Sequence, residues 1–309
     1  MDIDLVYLWV NGNDPKWIAK RNACIGRPSG GQAHCKGRYA DSGELKYSLR
    51  SVEKYAPWIR RIFIVTDNQT PEWLNTDNQK VQIVDHKQIM PAECLPCFNS
   101  AVIEQFIGNI PGLSEHFLYA NDDMYFGKPV QPQDFFGKDN LPKVFLFRKP
   151  LRKLALFYRE KILGKKLNPY LNTIKNAAVL VEKRYGKYYG GKQHHNIDAY
   201  LKSTFELVNK EFENELREMR THHMRSSDDI QRCIYSYVAL AEKRAHLCYV
   251  SKRHSFRIQI ENRSLYETFK QYNPKLFCMN DSERAKDEDR AFAINFISSL
   301  FPVKSEFEK

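Results

Sequence analysis

This 309-residue sequence has no uninterrupted apolar run near the roughly twenty residues that cross a bilayer, so no membrane span is expected. Its opening Met1-Asp-Ile-Asp4 is acidic and runs straight into a strand, without the basic start of a secretory signal. A cytoplasmic protein is expected. No internal repeat stands out, and no RNA- or DNA-binding signature is present, so no nucleic-acid partner is expected. Cysteines are few and their number, seven, is odd. Cys94-Leu-Pro-Cys97 has CxxC spacing and Cys24 and Cys35 lie earlier, which on paper makes a four-thiolate zinc site. The spacing of Cys24 and Cys35 is too wide for a zinc ribbon, and Cys94–Cys97 shows no helix start that would lower a thiol pKa. Free thiols are the expectation.

Hydrophobic residues make up 42% of the chain and aromatics 13%, which excludes wholesale disorder and supplies a real core. Lysine and arginine outnumber aspartate and glutamate by 48 to 37, a net charge of +11 that favours an anionic partner. The excess is concentrated in residues 148–166, where Arg148, Lys149, Arg152, Lys153, Arg159, Lys161, Lys165 and Lys166 interleave with Leu151, Leu154, Leu156 and Phe157. That pattern reads as a solvated amphipathic helix face, as a surface for a polyanionic acceptor, or as a peripheral membrane contact.

Ile3–Val10 is nearly continuous in its apolar character, as a strand buried on both faces of a parallel sheet should be, and stops at the turn cluster Asn11-Gly-Asn-Asp-Pro15. Residues 18–40 are polar, Gly-rich and read as a mobile loop. Asp41 and Glu44 resemble a capping box before a helix carrying Leu45, Leu49 and Val52 as far as Pro57. Arg61–Asp67 and Val81–Asp85 read as further buried strands. A helix from about Ser100 to Ile110 precedes the strand Phe117–Ala120, which opens into Asn121, Asp122 and Asp123. Strand–helix alternation with polar residues at strand ends predicts a doubly wound, mainly parallel α/β sheet, its ligand outside the carboxyl ends of the strands. Asp14, Asp67 and Asn121–Asp123 then share one rim. Residues 1–145 form the α/β core in this reading, and 146–309 a mostly helical part that completes the site within one integrated catalytic domain.

Carboxylates at the end of a buried strand suit a hard divalent cation, although Asn-Asp equally starts a tight turn. Gln193-His-His-Asn196 is expected to open a helix through Tyr200 and Phe205; a histidine there suits a general base, a cap or a surface accident. Ser226 and Asp229 read as the start of a helix with Ile230, Ile234, Tyr237 and Ala241 on its apolar face. Arg225 beside that helix start lacks a structural purpose, and an arginine with free backbone N–H groups makes a phosphate site. Phe277-Cys-Met-Asn-Asp-Ser282 repeats the apolar-to-Asn-Asp transition.

Together these pieces resemble the Stealth family of sugar-1-phosphate transferases, which includes bacterial capsular polysaccharide polymerases and the catalytic subunit of GlcNAc-1-phosphotransferase. The resemblance rests on four blocks in order: Ile3–Gly12; Glu44–Glu53 with Ile62–Asp67 and Phe117–Phe126; His195 with Arg225–Asp229; and Cys278–Asp281. The third block usually reads His-x-Pro, whereas this chain has His195-Asn-Ile197 with His194 adjacent, so both imidazoles are candidates. The resemblance implies a GT-A-like, nucleotide-sugar-binding fold, a UDP-N-acetylhexosamine donor, a saccharide acceptor joined through a phosphodiester, and Mg²⁺ or Mn²⁺. It implies Asp123, Asn121, Asn280 and Asp281 about the metal, and His195, Arg225 and Asp123 in catalysis. Asn11, Gly12, Arg50, Asn121, Lys175, His194 and Asp229 would meet substrate, Arg50 and Lys175 at the diphosphate.

Overall fold

The computed structural model describes residues 1–25, 39 and 41–309. Its centre is the sheet formed by β1 (Ile3–Leu8), β2 (Ile62–Thr66), β3 (Val81–Asp85), β4 (His116–Asn121) and, from the second half, β7 (Asp198–Leu201). Their order is β3-β2-β1-β4-β7, the first four parallel and β7 antiparallel to β4. Two further strands, β5 (Met124–Phe126) and β6 (Lys143–Leu146), lie between β4 and β7 in the chain. After β7 come β8 (His246–Tyr249), β9 (Ser255–Gln259) and β10 (Leu276–Asn280). They build a second sheet, β5-β10-β9, and a pair, β6-β8.

Helices α1 (Pro15–Ile25), α2 (Glu44–Tyr55), α3 (His86–Ile89), α4 (Ser100–Ile103) and α5 (Pro132–Phe135) belong to the first half. The second half adds α6 (Arg152–Phe157), α7 (Pro169–Tyr185), α8 (Lys202–Glu211), α9 (Glu213–Met219), α10 (Cys233–Ala241), α11 (Arg263–Tyr272) and α12 (Asp287–Leu300). No helix among the described residues is long and apolar enough to cross a membrane.

Strands β1, β2 and β4 are buried on both faces because they are apolar at successive positions, whereas the edge strand β3 is half-buried. Val6, Phe63, Val65, Phe117 and Tyr119 pack on one side with α7, α8 and α10, while Leu5, Tyr7, Ile62, Ile64 and Leu118 pack on the other with α2. This is the expected doubly wound, mainly parallel α/β arrangement. A third cluster, from Tyr125, Phe256, Phe269, Phe277 and Ile297, holds α11 and α12 on the second sheet. Strands of the second half are hydrogen-bonded into sheets of the first, and residue 145 falls inside β6.

Several local expectations are corrected. Residues 18–25 are helical, because Pro15 occupies the first turn of α1 and the Asp14 carboxylate accepts from Lys16 N–H at 2.8 Å. Residues 26–38 and 40, with Arg27–Gly31 and Cys35, lie outside the described residues. The segment after His195 is not a helix but β7, whose four residues are all buried against β4, and α8 begins only at Lys202. Ser100–Ile110 is a single α turn followed by 3₁₀ helix over Glu104–Asn109. α10 starts at Cys233, so Ser226 and Asp229 form a turn ahead of it rather than its cap. The six cysteines among the described residues are free thiols.

Candidate active site at the carboxyl ends of β1 and β4

In the order β3-β2-β1-β4, successive connections leave β1 in opposite directions across the sheet. The crevice outside β1 and β4 is therefore a topological switch point, where open α/β sheets bind ligands. A cavity of about 290 Å³ lies there, walled by Leu8–Val10 after β1, Val65 and Asp67 at β2, Asn121–Asp123 after β4 and Met279–Asp281 at the end of β10. His195 and Arg225 reach the same cavity. On its far side Trp17 packs against Tyr39 and Phe98, with ring centroids 5.2 and 5.4 Å apart.

The Asn121–Met124 turn is held rigidly. Ser48 Oγ on α2 donates to the Met124 carbonyl, and Ser51 Oγ accepts from Phe126 N–H. Met279 N–H donates to the Asp123 carbonyl at 2.9 Å, so antiparallel β5–β10 pairing sets Asn280 and Asp281 beside Asp122 and Asp123. The two Asn-Asp transitions, 159 residues apart in the chain, thus meet. Behind them the buried Cys278 thiol donates to Asp123 Oδ2 at 3.1 Å. Asp123 Oδ1 is buried and has no hydrogen-bond partner.

Negative charge accumulates here. Burial, then the charges of Asp123, Glu44 and Asp41, push the Asp122 carboxyl well above its ordinary value. Burial, with Asp41 and Asp123 adding to it, raises Glu44 to about 7. Carboxylates crowded in this way, one with an orphaned oxygen, fit a divalent cation bound through oxygen. The His195 imidazole and Cys278 thiol have ligand atoms within 4.8 Å of each other and of an Asp123 oxygen, a donor set that suits zinc. Burial and the Asp123 charge hold Cys278 well above the ordinary thiol range, so it stays protonated and acts as a donor to the carboxylate. The oxygens of the turn are left for a hard ion.

His195 Nε2 stands 4.0 Å from Asp123 Oδ2. Burial lowers its pKa, partly opposed by Asp123 and reinforced by Arg257, Arg232 and Lys192. His194 points elsewhere: it is buried, 3.0 Å from Asp198, in a cluster where Arg232 bonds Asp198 and covers the Tyr119 ring at 3.8 Å. Arg225 Nη2 donates to Ser100 Oγ, and both line the cavity. The helix expected to start at Ser226 begins only at Cys233, so Arg225 is not beside its own helix start; its guanidinium instead meets Ser100, the first residue of α4.

Other expected residues sit further out. Asp229 is buried, accepting from Asn99, His222 and Ser226, and so fixes the loop that carries Arg225. Arg50 forms a two-point ion pair with Glu308 and lies away from the cavity. Lys175 is paired with Glu160 beside a different recess. Asn11 and Gly12 follow the lining residues of β1; Gly12 is needed because a Cβ would lie 2.1 Å from the Tyr39 carbonyl. Asp14 accepts from Gln69 rather than facing the crevice. Both Asp281 oxygens accept from Arg290, leaving Asn280 the freer of that pair. Sequence reasoning missed Glu44, read as a capping residue, as well as Cys278 and the aromatic wall.

Residues 1–27 match the first conserved region of Stealth proteins and residues 38–144 the second. The chain is 33% identical over its full length to the exopolysaccharide phosphotransferase cps2G of Lactiplantibacillus plantarum, covering 96% of that protein. It is 30% identical to the capsular polysaccharide phosphotransferase WcwK of Streptococcus pneumoniae, with 99% of each chain covered. Among solved structures, the galactosyltransferase LgtC with donor and acceptor sugar analogues aligns over 97% of this chain and 95% of its own, at 11% identity and a TM-score of 0.48. The protein is an α/β transferase. It belongs to the Stealth family.

Proposed function

We propose that the protein transfers N-acetylhexosamine-1-phosphate from a UDP-sugar to a hydroxyl of a saccharide acceptor, releasing UMP, in the synthesis of a capsular polysaccharide on the cytoplasmic side. The observation that carries this reading is the convergence of the Asp122–Asp123 turn, Asn280, His195 and Arg225 on one crevice from four distant parts of the chain. The acceptor oxygen forms a bond to the phosphorus that bears the sugar, the bond from that phosphorus to the bridging oxygen of UMP breaks, and the acceptor proton passes to His195. Near neutral pH the lowered pKa keeps His195 unprotonated and ready as a base. Arg225 neutralises phosphoryl oxygens as charge redistributes. Asp123, with Asn121 and Asn280, would hold Mg²⁺ or Mn²⁺, which supplies charge neutralisation to the diphosphate when bound. The Trp17–Tyr39–Phe98 wall offers a stacking face to the nucleobase.

Nucleotide product analysis tests this reading. The protein is incubated with Mg²⁺, UDP-GlcNAc or UDP-ManNAc and a capsule-type oligosaccharide primer, and UMP is separated from UDP. UMP with sugar phosphate on the primer is expected; UDP would place the attack at the anomeric carbon and refute phosphoryl transfer. Asp123→Ala is expected to lower UMP release by about a thousandfold, and transfer at the wild-type rate would remove its role.

A further inference from the structure

The connection from β6 to α7 is where surplus charge and exposed apolar surface coincide. Residues 148–166 carry eight lysines and arginines against the single acid Glu160. α6 continues into a π-helical turn over Tyr158–Ile162. Of the large apolar side chains around this rod only Leu156 is buried; Leu151, Leu154, Phe157, Tyr158 and Ile162 face solvent, Leu154 at 66% and Ile162 at 62% exposure. Beside the rod lies a recess of about 590 Å³ whose lining includes Lys161, Lys165 and Lys166 and the first turn of α7. Lys153 and Lys175 are paired with Glu182 and Glu160, whereas Lys161, Lys165 and Lys166 have no ion pair among the described residues.

A soluble polyanion accounts for the lysines but leaves exposed leucine and isoleucine unexplained. Those side chains leave water favourably only for an apolar phase. A helix with cations beside Leu, Phe and Ile lies in the interface of an anionic bilayer, its apolar side at the acyl boundary and its cations at the headgroups. The positive N-terminal end of α7 adds to the attraction for phosphate. We propose that residues 148–166 dock the protein on an anionic lipid surface, with Leu154, Phe157 and Ile162 entering the acyl boundary and Lys161, Lys165 and Lys166 meeting headgroup phosphates.

Docking there has a bearing on the crevice. Phe147 N–H donates to the Lys192 carbonyl and His194 N–H to the Phe145 carbonyl, so the strand that leads into the basic segment also holds the backbone before His195. The basic segment thus begins where a strand bonded to the backbone before His195 ends.

Flotation of the full chain with vesicles tests the proposal without requiring turnover. Binding is expected to an equal mixture of phosphatidylcholine and phosphatidylglycerol, and not to phosphatidylcholine alone. Leu154→Asp with Ile162→Asp should weaken partitioning at least tenfold while leaving the unfolding midpoint unchanged, because both side chains are exposed. Replacing Lys161, Lys165 and Lys166 by Gln should weaken it roughly a hundredfold, at about fivefold per charge. Failure of the wild-type chain to float with anionic vesicles would overturn the proposal. So would binding that survives the double aspartate variant, or preferential capture by a soluble phosphodiester polymer that the variant does not impair, which would make this a polymer-binding face.

Discussion

Glu44 provides a quantitative check on the proposal that the crevice receives a cation. Its side chain accepts from Ser42 N–H at 2.7 Å and sits in the field of Asp41 and Asp123, and burial raises its pKa from 4.5 to about 7. An acid raised in the folded state is protonated there while still ionised in the unfolded chain, so folding stability falls as pH rises from about 4.5 to about 7 and stays lowered above. The gap corresponds to roughly 3 kcal/mol once both states are ionised. Glu44→Gln retains an oxygen for Ser42 and has no proton to lose. In EDTA the variant should unfold close to wild type at pH 5, and about 5 °C higher at pH 8. Mg²⁺ should then raise the wild-type midpoint at pH 8 more than that of the variant, because the ion offsets the repulsion the variant already lacks. Scanning fluorimetry at the two pH values suffices. An equal difference at pH 5 and pH 8, or equal gains from Mg²⁺, would refute the reasoning.

The acid limb of kcat/KM for UMP release should lie below pH 6.5, since His195 remains neutral below its ordinary value; His195→Gln should abolish that limb and cost at least about a hundredfold in rate. Cys278→Ser keeps an O–H to donate to Asp123 and should retain activity within about threefold, whereas Cys278→Val leaves the oxygen unpaired and should lose about tenfold, with weaker Mg²⁺ binding by calorimetry. Asp229→Asn breaks a buried carboxylate with three partners, which should cost roughly 2 kcal/mol in urea unfolding and lower the transfer rate through the loose Arg225 loop.

The parallel core was legible because β1 and β2 are buried on both faces and so read as nearly unbroken apolar runs; the half-buried edge strand β3 also lies over the same five residues, Val81–Asp85, that the pattern marks. β7 was hidden because four residues are too few to display a period. The helix start expected at Ser226 failed since Asp229 accepts from Ser226 N–H as a capping residue does, yet in a turn that ends before α10. Asp123, His195 and Arg225 reach one crevice as the motifs led one to expect. Arg50 could not be placed, because its partner Glu308 is 258 residues away and local sequence does not announce such a pair. Glu44 fits a capping pattern so well that its carboxylate field was invisible without Asp122 and Asp123 beside it.

The pairing of β5 with β10 also bears on when the enzyme becomes active during its own synthesis. Chains emerge from the ribosome N-terminus first, and the Asp122–Asp123 turn is made long before Met279, whose N–H secures it. A nascent chain that has extruded the whole parallel sheet still lacks Asn280 and the backbone clamp on Asp123, as well as the Cys278 thiol. A half-finished polypeptide therefore has no complete crevice, which forms late, as the last sheet closes.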